Sequence, residues 1–161
     1  MKVLLVVDMQ KGFINKPHYK KVNKKIDKLL KNSNYDKIIL TRFVNDKSKN
    51  PLYVTQVGWN KLTTAAEQEF SVTVPSDAVI LEKYGYGLQL EDLEYIKSLN
   101  VNSIDVCGVK ANACVYAIAL QLFDLGIAPN ILINYVECNP STKDVMKLIF
   151  EKQFGQVDNK K

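Results

Sequence analysis

The feature that most constrains this chain is Val3-Leu-Leu-Val-Val7, an apolar run with no polar residue to alternate against, closed at once by Asp8. A strand with one face in water alternates apolar and polar side chains. One without alternation is buried on both faces, which occurs almost only in parallel sheets covered by helices. The rest of the chain repeats the theme. Lys37–Thr41, Val79–Leu81, Ser103–Cys107 and Asn130–Val136 read as four further strands. Between and after them, Tyr19–Lys31, Leu88–Leu99, Asn112–Leu125 and Thr142–Phe154 place apolar residues three and four apart, and Gly126 caps the third of these helices. Ala65-Ala66-Glu67 favours a short helix within 60–70, and 43–59 is an irregular connection. Strands alternating with helices predict an α/β fold: a three-layer αβα sandwich with a central parallel sheet of about five or six strands, Rossmann-like in its winding. At 161 residues this is one domain, residues 1–155, followed by a polar tail over 156–161.

The net charge of +5 is unevenly spread: residues 1–50 hold 13 basic and 4 acidic side chains, residues 51–161 hold 9 and 13. Much of the excess lies in 16–31, where Val22, Ile26, Leu29 and Leu30 share one helical face and the lysines take the other. This is a solvated helix face. Arg42 is the sole arginine, and Arg supplies most base-edge and bidentate phosphate contacts, so no nucleic-acid partner is expected. No apolar stretch approaches the ~20 residues of a membrane span, and the one lysine ahead of Val3 does not make a signal peptide. Three cysteines, an odd number, frame no disulfide set, and a cytoplasmic location is expected.

In a parallel sheet the chemistry gathers at the carboxyl ends of the strands. There the sequence puts Asp8 after the first strand, Lys83 after the third, and Cys114 at the helix start after the fourth. Each has an ordinary alternative. Asp8 could cap a turn, Lys83 could be one more surface lysine, and Cys114 could be a small buried hydrophobe. Together they place a carboxylate, an ammonium and a thiol on one rim. A thiol of ordinary pKa is mostly protonated at neutral pH, and a helix N-terminus with a nearby ammonium would stabilise its thiolate.

Val6-Val7-Asp8-Met9-Gln10 with Phe13, then Glu82-Lys83, then Val106-Cys-Gly-Val-Lys-Ala-Asn-Ala-Cys-Val115 resemble the isochorismatase-like cysteine hydrolases, the family that includes nicotinamidases and N-carbamoylsarcosine amidases. The resemblance spans about residues 2–140 and implies an isochorismatase-like hydrolase fold with a catalytic triad of Asp8, Lys83 and Cys114. It also implies a cis peptide at Val109–Lys110 and an oxyanion hole made by the amides of Lys110 and Cys114. The implied reaction is cleavage of a C–N bond in a small amide, ureido or carbamoyl compound through a thioester-type intermediate. Two alternatives stay open: an enol-ether hydrolase using Asp8 as acid, and a non-catalytic binding module on the same fold. A dinucleotide site is disfavoured, since Asp8-Met-Gln-Lys-Gly12 is neither G-x-G-x-x-G nor a P-loop.

Several positions depart from the family's pattern. Ala111 stands where the family's turn usually has Thr, and Tyr84-Gly-Tyr-Gly-Leu-Gln-Leu90 is shorter than its usual counterpart. The Asp common after the fifth strand is missing from Tyr135-Val-Glu-Cys138. Metal-binding nicotinamidases carry Asp-x-His and further His after the second strand; Thr41-Arg-Phe-Val-Asn-Asp-Lys-Ser-Lys-Asn50 has none, and no catalytic metal or other cofactor is expected. The single histidine, His18, reads as a surface residue. Phe13, Trp59, Tyr84 and Tyr86 are the expected pocket residues, since aromatic walls suit a small planar amide. The seven large apolar residues of 43–59 must fold over the active-site rim or pack on a second subunit, and a homodimer or larger homo-oligomer is expected.

Overall fold

The structure, a computed structural model, describes residues 1–32, 34–155 and 157–158. Its centre is β1 (Val3–Val7), buried at all five positions as the unbroken apolar run requires. Two strands flank it in parallel, β2 (Lys37–Phe43) and β4 (Ser103–Gly108). Outside them lie β3 (Val79–Lys83) and β5 (Ala128–Val136), again parallel. Within the expected polar tail, Val157–Asp158 pair in parallel with Ile131 and Leu132 as a two-residue β6. Residues 156 and 159–161 of that tail lie outside the described residues. The order is β3-β2-β1-β4-β5-β6. The chain winds outward on one side from β1 to β3, then crosses to β4 and winds outward on the other. The switch point therefore falls between β1 and β4.

Helices cover both faces, which accounts for the missing alternation in β1. Leu4 and Val6 pack with Ile26 and Leu30 of α1 (Pro17–Asn32). Val3, Leu5 and Val7 pack with Ile96 of α4 (Leu90–Ser98), Ile118 and Leu122 of α5 (Cys114–Asp124), and Phe150 of α6 (Lys143–Phe154). Between β2 and β3 lie single turns, α2 (Leu52–Thr55) and α3 (Ala65–Gln68). The irregular 43–59 connection thus contains one helical turn.

Boundaries differ from expectation for local reasons. Helix α1 starts at Pro17, whose fixed φ suits a first turn and whose missing N–H costs nothing there. Helix α5 starts at Cys114 because residues 109–113 are taken up by the turn after β4. Gln89 and Asp92 form a reciprocal capping box at the start of α4, and Gly155 closes α6 in the left-handed region. Among the described residues no helix is long and apolar enough to cross a membrane.

Candidate active site

The first residue after β1 is Asp8, with a positive φ of 50° and a fully buried side chain. Asp8 N donates to Thr41 Oγ1 at 3.0 Å, and that hydroxyl donates in turn to Asp8 Oδ1 at 2.5 Å. The other carboxylate oxygen meets Lys83 Nζ at 2.8 Å, a fully buried ion pair. Lys83 ends β3 and lies over the Phe43 ring, 5.0 Å from its centroid, while donating to Gly85 O at 2.8 Å and Tyr86 O at 3.3 Å. Two backbone carbonyls and one carboxylate oxygen thus surround the ammonium. Adjacent parallel strands make the arrangement possible: Phe43 and Lys83 are register partners, as are Thr41 and Leu81.

The third group arrives from across the switch point. At Gly108, φ is 120° and an added Cβ would stand 2.1 Å from Val7 O, so only glycine lets β4 leave the sheet this close to β1. The Val109–Lys110 peptide is cis. Val109 N then donates to Val7 O at 2.9 Å, and the carbonyl of Lys110 accepts from the amides of Ala113 and Val115, both at 3.1 Å. This turn delivers Cys114 at the first position of α5, where the charges of both Asp8 and Lys83 act on its thiol. Neither the amide of Lys110 nor that of Cys114 donates to an acceptor among the described residues.

Burial pushes the Cys114 thiol up to about 12, the Asp8 charge adds to the rise, and Lys83 only partly opposes it. The resting group is a thiol. This differs from the expectation of a helix-stabilised thiolate, because burial disfavours the charged sulfur and the Asp8 carboxylate opposes the help that Lys83 gives it. Burial disfavours the Lys83 ammonium, but the groups facing it, the Asp8 carboxylate foremost, outweigh this and raise its pKa. Burial also raises Cys107 in β4 and Cys138 after β5, the latter to about 11; neither touches the ion pair.

A cavity of about 710 Å³ opens above Cys114. Phe13, Trp59 and Tyr86 line it, with Phe13 stacked on Trp59 at 5.7 Å. Tyr84 is not among the lining residues. Its ring lies under Lys49 Nζ and its carbonyl accepts from Asn50, so the short loop after β3 turns Tyr86 to the cavity instead. The long connection folds back over this rim: Phe43, Tyr53, Leu62 and Trp59 pack together, with Tyr53 against Tyr86 at 5.1 Å.

Sequence reasoning passed over three residues here. Thr41 was read only as the end of a strand, although a hydroxyl at that register faces the residue closing β1. Gln10 was a motif letter; its side chain bonds both the N–H and the C=O of Phe43 at 2.9 Å and ties the turn after β1 to the end of β2. Glu137, just past β5, is buried. Its carboxylate meets His18 Nε2 at 3.1 Å, so His18 is a half-buried partner rather than a surface residue.

The segment after β2 does not fit a metal. It holds no histidine, Oδ1 of the Asp46 carboxylate caps Ser48, and Asn45, whose Nδ2 donates to the carbonyls of Trp59 and Lys61, leaves a single amide oxygen free, too few donors for an ion. Among the described residues no group of three or more His, Cys, Asp or Glu side chains could hold an ion.

A family model, the isochorismatase domain, matches residues 2–134. Among solved structures, the chain resembles the pyrazinamidase of Pyrococcus horikoshii in complex with zinc, 22% identical over 98% of both chains with a TM-score of 0.80. The N-carbamoylsarcosine amidase of Thermoplasma acidophilum is 18% identical over 98% of this chain and 96% of that one, also at 0.80. A nicotinamidase of Bacillus subtilis is 15% identical over 98% and 99%, at 0.78. At these identities the likeness is one of fold. No curated protein matches the chain.

Proposed function

The chain belongs to the isochorismatase family of hydrolases, and on that premise we propose that it cleaves a C–N bond of a small amide, ureido or carbamoyl compound with Cys114 as nucleophile. One observation carries the reading: the buried Asp8 carboxylate lies 2.8 Å from the Lys83 ammonium, and the charges of both act on the buried Cys114 thiol at the floor of the cavity. Asp8 accepts the thiol proton as Sγ attacks the carbonyl carbon, so no free thiolate has to accumulate. The oxyanion that forms is met by the unengaged amides of Lys110 and Cys114, fixed in place before the reaction begins. Collapse breaks the C–N bond, with Asp8 passing its proton to the leaving nitrogen. Water, deprotonated by Asp8, then attacks the thioester; the acid departs and the sulfur recovers its proton. Lys83 holds Asp8 in position and balances the charge beneath the cavity throughout.

The test is a panel of small amides, ureides and N-carbamoyl compounds with ammonia detection. Turnover should vanish in Cys114→Ser and fall by roughly 10²–10⁴ in Asp8→Asn. Hydrolysis at undiminished rate in both variants would remove the triad; enol-ether cleavage surviving Cys114→Ser would favour acid catalysis by Asp8 alone. The partner chemistry we propose is a small-molecule substrate together with a second copy of the chain. Leu52 supports the second copy: it stays about half exposed (49%) on the connection that covers the rim.

A further inference from the structure

Asp8 and Lys83 neutralise one another beneath the cavity, so the charge a bound molecule meets is set by the walls. Those walls carry three ammonium groups, from Lys16, Lys61 and Lys110, and no carboxylate. Two of the three come from segments that Glu137 ties together. Its buried carboxylate meets His18 Nε2 at 3.1 Å, two residues beyond Lys16, which stands just ahead of α1. Lys110 lies in the turn after β4, and its charge and that of Lys16 both act on this carboxylate. The Glu137 main chain is locked to the same turn, its amide donating to Gly108 O at 2.8 Å and its carbonyl accepting from Ala111 N at 2.9 Å. One buried carboxylate against two ammoniums leaves this corner positive, and Lys61 adds a further positive charge to the lining. Much of the remaining lining is flat and aromatic, including Phe13, Tyr53, Trp59 and Tyr86.

Resting on the hydrolase reading above, we propose that the substrate is a small, flat amide or carbamoyl compound that also bears a carboxylate, held by Lys16 and Lys110 while its C–N bond lies over Cys114. The lysines on the outer face of α1 look into solvent, where salt and water screen them. Lys16, Lys61 and Lys110 are exposed as well, but they line one cavity with aromatic walls, where their fields add on a bound anion and not on an uncharged amide. A lysine acts as a point charge without the fixed fork of arginine, which suits a single carboxylate on a ligand aligned mainly by its ring faces.

Calorimetry on the Cys114→Ala protein, which binds without turning over, separates this proposal from the chemistry. The probes are 4-carbamoylbenzoate against benzamide, and N-carbamoylglycine against N-methylurea. Each carboxylate should bind at least about tenfold tighter than its neutral counterpart, with the gap shrinking as salt rises. The preference should be lost in Lys16→Met/Lys110→Met and kept in Lys16→Arg/Lys110→Arg. Lys16→Met alone, which leaves the turn after β4 untouched, should weaken the carboxylates several-fold and the neutral probes hardly at all. Equal or tighter binding of the neutral probes, no binding of either carboxylate, or a preference unmoved in the methionine variants would overturn the proposal. Ammonia release by the unaltered protein is read separately: a carboxylate preference without turnover upholds the anion corner and counts against the hydrolase reading.

Discussion

At the scale of single residues, the site depends on what surrounds Asp8 as much as on Asp8 itself. One carboxylate oxygen belongs to Lys83 and the other to Thr41, which also accepts from the Asp8 amide. Thr41→Val keeps the volume and removes both hydrogen bonds. It leaves a buried amide and a carboxylate oxygen without their partner, at a cost of about 1–3 kcal/mol in stability. The carboxylate also becomes free to rotate away from the sulfur, and kcat should fall roughly 10–100-fold with KM little changed. Steady-state kinetics and denaturant unfolding on the same sample check both halves, and a purely structural role for Thr41 would move stability alone. The candidate residues were legible in the sequence because Asp8 follows β1, Lys83 closes β3 and Cys114 opens the helix after β4, all at the carboxyl edge of the sheet. Thr41 was not, because nothing in a strand's own composition says which neighbour its hydroxyl will face.

Among the elements, β1 and β4 do most to place the chemistry. The unbroken apolar run announced a strand buried on both faces, and five of the six strands, with the four longer helices, were readable from periodicity. The two-residue β6 was hidden in a polar sequence because its pairing is set by β5 and not by any pattern of its own. The route of the connection after β2 was equally illegible, since an irregular segment has no period. Its aromatic residues fold over the cavity. Its donor set leads to a prediction about metal. With no histidine, Asp46 capping Ser48 and only the Asn45 amide oxygen left over, too few ligands gather there, so hydrolysis should continue unchanged after EDTA treatment and dialysis. Loss of activity restored by zinc or manganese would show that this segment does bind an ion.

For the molecule as a whole, the uneven charge resolves into two regions with different consequences. The lysines of α1 face solvent, opposite Ile26 and Leu30, as helical spacing indicates. The lysines that matter to a ligand are scattered in sequence, at 16, 61 and 110, and only the fold brings them to one cavity. Assembly belongs to this scale too. Leaving the apolar side chain of Leu52 in water forgoes about 25 cal/mol for every Å² that a partner would cover. Light scattering at micromolar concentration should therefore return twice the mass of one chain or more. A single-chain mass would leave the connection as an intramolecular cover alone.

The most direct measurement is the mass of the protein during turnover. Rapid quenching in acid with the best substrate of the amide panel, followed by peptide mapping, should find the acyl group on Cys114 and on neither Cys107 nor Cys138. The adduct should be absent in Cys114→Ser and should form far more slowly in Asp8→Asn. Full turnover with no adduct at any time point and an active Cys114→Ser protein, or an adduct on Cys107 or Cys138 instead, would contradict the account.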